Sequence, residues 1–185
     1  MMIEFMQHLI LLIIILLAVG LAYVPLRWPG GLHMTFSQHV AAHHWSKIYY
    51  ALLFLTILPL LLLFIVVWLV PERGLPNSFI WFATIAVVFQ IACTFVPETG
   101  GRRTIIHRIL AAISGIAMMP LVVMLIVDQY LSFLARVVAF VVLILMLTLL
   151  SVALMYQKGY NKALLLQIGY YIGFFIAILV ATYVG

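Results

Sequence analysis

Six long apolar stretches dominate this sequence and limit the folds that are open to it. Each is roughly 20 residues long, the length that an α-helix needs to cross about 30 Å of bilayer hydrocarbon. Turns rich in proline, glycine or charge separate them. The sequence therefore predicts six transmembrane helices near residues 2–24, 48–70, 79–96, 105–127, 131–156 and 163–184.

Composition supports the same interpretation. Hydrophobic residues make up 68% of the chain and charged residues 7%, whereas soluble domains are about half apolar and about a quarter charged. We therefore expect an all-α integral membrane protein of the plasma or inner membrane, with one polytopic domain over residues 1–185. The first stretch begins with Glu4 and no Lys or Arg, so we predict a span there rather than a secretory signal.

The connection between the first two spans is longer and more polar than a simple turn. Residues 30–47 read GGLHMTFSQHVAAHHWSK, which is too polar for the bilayer core. His39 and His43 are one helical turn apart. We therefore predict a short interfacial helix over residues 35–46, or a water-facing extension of the second span.

The basic residues are unevenly distributed between the two ends of the six spans. Two of them, Arg73 and Arg136, belong to the even-loop side. The other seven belong to the first, third and fifth loops, namely Arg27, Lys47, Arg102, Arg103, Arg108, Lys158 and Lys162. The positive-inside rule then predicts that the odd loops are cytoplasmic and that both termini lie outside. This explains the formal charge of +5 without a nucleic-acid partner.

Histidines accumulate on the odd-loop side and suggest two kinds of cofactor site. His39 and His43 on one helical face, with His107 from another helix, would supply three nitrogen ligands to a divalent metal, and Glu98 could add an oxygen. A b-type haem between His107 and either His43 or His44 is a second possibility. The alternative is that these rings simply occupy the membrane interface. The zinc-hydrolase pattern HExxH is absent.

The third loop, FVPETGGRRTIIHR at residues 95–108, concentrates polar chemistry. Arg102, Arg103 and Arg108 around the Gly-Gly turn could hold a lipid phosphate through paired guanidinium hydrogen bonds. They could equally be charges that only set the topology.

The last span repeats a small residue at every fourth position, at Gly169, Gly173, Ala177 and Ala181. Such a stripe lets two helices approach closely, either within the chain or in a homo-oligomer. Pro59 and Pro120 fall inside the second and fourth spans and are expected to kink them. A small-solute transporter would need a midplane cavity there, near Gln90.

Several polar stretches of the chain resemble one family of membrane proteins. The matching residues are Ser37 in TFSQH, Phe95, Pro97 and Glu98 in FVPET, and Ile106, His107, Ala111 and Ala112 at the start of the fourth span. With six spans, the chain resembles the uncharacterised membrane proteins grouped as domain of unknown function family 998. It is more distantly similar to the autophagy-modulator and Sfk-type six-span proteins. These relatives imply a role in lipid organisation or with a membrane partner, no established catalysis, and a third loop outside the cytoplasm, contrary to the charge count.

The sequence thus favours a non-enzymatic membrane protein with one polar site at a membrane face. No serine, cysteine or threonine is convincingly paired with a base, so catalytic residues stay unassigned. A lipid headgroup or a partner would bind there, with no cofactor, and the predicted site is Ser37, His39, Glu98, Arg102, Arg103 and His107. The alternatives are a metal- or haem-binding oxidoreductase or hydrolase that uses His39, His43 and His107, and a small-solute transporter.

Overall fold

A computed structural model describes residues 2–155 and 162–185. Within these ranges it contains eight α-helices, one π-helical turn and no strand. The helices are α1 (Met2–Arg27), α2 (Phe36–Ala41), α3 (His44–Phe64), α4 (Val70–Arg73), α5 (Asn77–Phe95), α6 (Gly101–Val127), α7 (Phe133–Met155) and α8 (Ala163–Tyr183). The π-helical turn Ile65–Leu69 joins α3 to α4.

Six helical segments are long and apolar enough to cross a membrane, which confirms the predicted all-α, six-span fold. They are Ile3–Arg27, His44–Arg73, Asn77–Phe95, Gly101–Val127, Phe133–Ala153 and Ala163–Tyr183. The second is a composite of α3, the π-helical turn and α4, and it ends at Gly74, which adopts a left-handed φ of 63°. The predicted end of the fifth span at residue 156 and the cation Lys158 lie outside the described residues.

Helices that follow one another in the chain are mostly neighbours in space. α5 packs along α6, α6 along α7 and α7 along α8, while α3 lies against α1 and α5. α1 and α6 also contact α8. A single apolar core results, and its fully enclosed side chains include Phe54, Phe79 and Ile178.

The small-residue stripe of the last span packs against α7 of the same chain. A Cβ at Gly173 would lie 3.5 Å from Leu145 Cδ2 and 3.6 Å from Val142 Cγ1, and a Cβ at Gly169 would lie 3.2 Å from Leu149 Cδ1. Ala177 and Ala181 are both buried. The stripe therefore serves packing within the chain, and a homo-oligomer through the last span stays a prediction.

The short helix in the first connection is present, but the predicted bounds of 35–46 are corrected. The chain is extended at His43, with φ −131° and ψ 147°, so α2 and α3 are separate helices. The Ser46 hydroxyl stabilises the break because its single proton lies between two acceptors, the carbonyls of Val40 (2.6 Å) and His43 (2.7 Å). Four of the six α2 residues are buried, namely Phe36, Ser37, His39 and Val40.

α2 and the residues before it also contact the start of the last span. The Leu164 N–H donates to the Leu32 carbonyl over 3.1 Å, and the Phe36 N–H donates to Gln167 Oε1 over 3.1 Å. We call this end of the bundle the arginine end; it comprises the α1–α3 connection, the α5–α6 connection and the start of α8. These contacts hold the first connection against the start of the last span.

The other end of the bundle, which we call the opposite end, is closed by different contacts. The Arg73 guanidinium donates to the carbonyls of Thr182 and Gly185. Gln7 Nε2 donates to the Thr182 carbonyl over 3.3 Å, and the Tyr183 hydroxyl donates to the Gln7 carbonyl over 2.8 Å. The start of α1, α4 and the end of α8 are thereby held together.

Candidate functional site

The Glu98 carboxylate is the centre of the polar site at the arginine end. Its Oε2 atom accepts hydrogen bonds from the hydroxyls of Thr35 and Ser37, each 3.1 Å long. Its Oε1 atom accepts from Arg108 Nε (2.9 Å) and Nη2 (2.8 Å). The Glu98 side chain is 5% exposed, whereas that of Arg108 is 56% exposed. One buried acid therefore joins α2 to α6.

Thr35 reaches Glu98 because it caps the start of α2. Its hydroxyl accepts the Gln38 N–H over 3.3 Å, while Gln38 Oε1 accepts the Thr35 N–H over 2.9 Å. This reciprocal pair is a capping box, and the sequence TFSQ has its Thr-x-x-Gln spacing. Sequence reasoning missed Thr35 as a site residue, although that motif was available to find it.

The Gly-Gly turn sets the path from Glu98 into α6. Gly100 and Gly101 have φ values of 100° and 56°, in the left-handed region that glycine tolerates best. The Gly100 N–H donates to the Thr104 hydroxyl over 2.8 Å. The turn lets α6 double back along α5, so that Arg108, on the third turn of α6, faces Glu98.

Arg102 and Arg103 lie in the first turn of α6 and are exposed. Within the described part of the chain, neither forms an ion pair or a side-chain hydrogen bond with Glu98. The three arginines of the loop therefore differ in their contacts. Arg108 neutralises Glu98, while Arg102 and Arg103 are exposed.

His107 belongs to a separate contact between α5 and α6. The ring is buried, and its Nδ1 lies 2.7 Å from the Val96 carbonyl and 3.2 Å from the Cys93 carbonyl. Cys93 Sγ is 3.3 Å from the same nitrogen. Carbonyls at a helix end lack partners within the helix, so the His107 Nδ1–H caps the end of α5. His107 makes no described contact with Ser37 or Glu98.

His39 is buried but is directed to another partner. Its Nδ1 donates to the Trp28 carbonyl over 3.1 Å, and its Nε2 is buried without a hydrogen-bond partner among the described residues. His43 and His44 are exposed. In the part of the chain that the structure describes, no three His, Cys, Asp or Glu side chains are grouped to hold a metal. The proposed set of His39, His43 and His107 is therefore not brought together.

Polar groups inside the bundle connect three spans. Gln90 Oε1 of α5 accepts from the hydroxyls of Ser114 (3.3 Å) and Tyr171 (3.1 Å), which belong to α6 and α8. The Ser114 hydroxyl also lies 2.9 Å from the Ala86 carbonyl. Gln90 thus bonds between helices, as such residues do in membrane bundles.

The cavity beside Gln90 is small. It measures about 30 Å³ and is bounded by apolar side chains apart from Gln90 and Tyr171. A space of that size accommodates about one or two water molecules. Neither Pro59 nor Pro120 lines it, so this cavity is not the midplane chamber that a small-solute transporter would need.

No protein-family model, curated protein or solved structure matches this chain. The resemblance to domain of unknown function family 998 and to the six-span autophagy modulators therefore stays a prediction. The geometry of the arginine end is therefore the main evidence for the function of this protein.

Proposed function

We propose that this polytopic membrane protein is non-catalytic and binds anionic lipid headgroups at its arginine end, through Arg102 and Arg103. The observation that supports this most directly is that Glu98 is already paired within the protein. The only acid at that end is buried and is already bound by Arg108 and two hydroxyls. Arg102 and Arg103 are left exposed, with their charge available to an external anion.

The surroundings of the two arginines suit a phosphate at the membrane surface. They occupy the first turn of α6, where backbone N–H groups lack helical acceptors and favour a negative group. Ile105 and Ile106, on the next turn, are exposed apolar side chains. A lipid whose phosphate contacts the guanidinium groups would place its acyl chains against these isoleucines.

The proposal includes an orientation. The charge count favours a cytoplasmic arginine end, with both termini outside. Anionic lipids give the cytoplasmic leaflet a negative surface potential, which attracts basic residues near the membrane by about 1 kcal/mol each. Orientation and lipid preference therefore support each other.

The alternatives receive less support from the geometry. A haem or metal site needs histidines that converge, whereas His107 is directed at the end of α5 and His43 is exposed. A solute carrier needs a chamber larger than the cavity of about 30 Å³ next to Gln90. A protein partner at the arginine end is the remaining competitor, and the experiment below separates it from lipid.

The test is lipid binding by the purified full chain, measured by native mass spectrometry with phosphatidylglycerol and phosphatidylcholine. Replacing both arginines, Arg102→Gln with Arg103→Gln, should weaken phosphatidylglycerol binding about 30-fold. The matched control is Arg27→Gln with Lys162→Gln, which removes two other exposed cations of the same end and should have a much smaller effect. Equal effects of the two pairs, or no preference for the anionic lipid, would contradict the proposal.

A further inference from the structure

A second cationic site lies at the opposite end of the bundle, away from the arginine end. An open cleft of about 200 Å³ runs beside the start of α7. Its wall is almost entirely apolar and has one residue that bears a charge; the lining residues are Ile126, Phe133, Arg136, Val137 and Phe140. The four α7 members have i, i+3, i+4 and i+7 spacing, so they form one stripe along the helix.

The cleft opens on the outer surface of the bundle. Phe133 is 80% exposed and Phe140 is 53% exposed. Farther along α7, Ile144 and Leu147 are also exposed. From Arg136 to Leu147 the helix rises about 16 Å, so an apolar track of that length begins at the guanidinium group and runs into the hydrocarbon region.

The charge of Arg136 is not matched by an acid. Its Nε donates to the Ile126 carbonyl over 3.0 Å, and a guanidinium has four further N–H donors. Across residues 2–155 and 162–185, no carboxylate forms an ion pair with Arg136. Asp128, the nearest acid in the sequence, instead accepts the Tyr130 N–H over 2.8 Å.

An unpaired cation at this depth favours an anionic occupant. Arg136 is three residues beyond the start of α7, which is about 5 Å along the helix; if α7 crosses the bilayer, this depth corresponds to the boundary between headgroups and hydrocarbon. Ionised groups inside spans are costly unless they are paired or reach water. A phosphate suits a guanidinium especially well, because two parallel hydrogen bonds can form between them.

We propose that this cleft binds an anionic phospholipid of the leaflet at the opposite end. Its phosphate accepts hydrogen bonds from Arg136, and one acyl chain lies along Val137, Phe140 and Ile144. The site is independent of Arg102 and Arg103, which belong to the other end of the bundle. The inference therefore goes beyond the proposed function and does not depend on it.

The experiment uses a tryptophan placed in the cleft, Phe140→Trp, in the full chain reconstituted into phosphatidylcholine vesicles. Brominated lipids quench a tryptophan that they touch. Brominated phosphatidylglycerol should quench this reporter several-fold more efficiently than brominated phosphatidylcholine at the same mole fraction. The same chain without the substitution supplies the background from the native tryptophans.

Variants then assign the preference to Arg136. Adding Arg136→Gln to the reporter should abolish the preference for phosphatidylglycerol, whereas Arg136→Lys should keep part of it. A control that also removes one exposed cation, Arg27→Gln at the arginine end, should leave the reporter unchanged.

Two results would overturn the inference: equal quenching by both lipids, or an unchanged preference after Arg136→Gln. The outcome is separable from that of the proposed function, because each site has its own variant pair and its own readout.

Discussion

The Thr35 hydroxyl donates a hydrogen bond of 3.1 Å to the Glu98 carboxylate, and so joins the first connection of the chain to the third. Ser37 adds a second hydroxyl and Arg108 adds the charge. The site is therefore primarily a contact between loops, and its integrity should affect the stability of the whole arginine end.

Glu98→Gln should destabilise the protein by about 1–2 kcal/mol. Glutamine keeps the shape, but it removes the charge that faces Arg108 and turns one acceptor into a donor. The effect stays moderate because Arg108 is half exposed and solvent weakens the pair. Unfolding can be followed by the reaction of Cys93 with a fluorogenic maleimide, since Cys93 is the only cysteine and is buried. The control Glu72→Gln, an exposed acid, should not shift the transition.

Thr35→Ala should cost more stability than Ser37→Ala. Both substitutions remove a hydroxyl from Glu98, but Thr35 also caps α2 through the Gln38 N–H. Losing an N-cap typically costs about 1 kcal/mol. The same maleimide assay ranks the two variants, and a reversed order would show that the cap contributes little here.

His107→Ala should destabilise the α5–α6 pair by about 1–3 kcal/mol, because it removes the ring N–H that the Val96 carbonyl accepts. Asparagine can present an N–H near the position of Nδ1, so His107→Asn should recover part of the loss. The loss of the monodisperse chromatographic peak on heating measures stability in this case, since the substitution also uncovers Cys93. Faster maleimide labelling of the folded His107→Ala variant is the second expected result. If alanine and asparagine behave alike, the capping role is wrong.

Gly173→Ala should be tolerated, whereas Gly173→Leu should disrupt the bundle. A methyl group at Gly173 would meet Leu145 and Val142 at ordinary van der Waals distances of 3.5 and 3.6 Å. A leucine needs space that the close approach of α7 and α8 does not leave. Thermal stability in detergent distinguishes the two substitutions, and the alanine variant is the control for loss of glycine itself.

Topology can be settled with single cysteines in a Cys93→Ala background. Thr99→Cys reports on the third loop and Asn77→Cys on the second, and both native residues are exposed. The charge count predicts that a membrane-impermeant maleimide labels only Asn77→Cys in intact cells. Labelling of Thr99→Cys alone would instead agree with the orientation that the family resemblance implies.

The spans were predictable because hydrophobic length alone specifies them in a bilayer. Their ends were less so. The second span contains a π-helical turn at Ile65–Leu69 and continues past Val70 to Arg73 as α4, and apolar length gives no indication of that turn. The break at His43 was also not predicted, because it depends on a hydrogen-bond contact of the Ser46 hydroxyl with two backbone carbonyls. His39 and His43 were therefore predicted to lie on one helix, although α2 ends at Ala41.

Two of the residues predicted for the candidate site are neighbours in the structure. Ser37 and Glu98 were both predicted, and the structure brings them into contact. His107 was grouped with them because it lies on the same side of the membrane, yet its ring turns to Val96. The sequence also could not show which of the three arginines contacts Glu98, since this depends on the direction of each side chain on α6.

The hydrogen bond between the Phe36 N–H and Gln167 spans 131 positions of the chain, and this distance affects the order of assembly. A ribosome delivers the first connection long before α8 exists. The Phe36 N–H at the start of α2 therefore lacks the Gln167 acceptor until the last span has been inserted. A chain interrupted before α8 should therefore leave the first connection without its two backbone contacts to the last span.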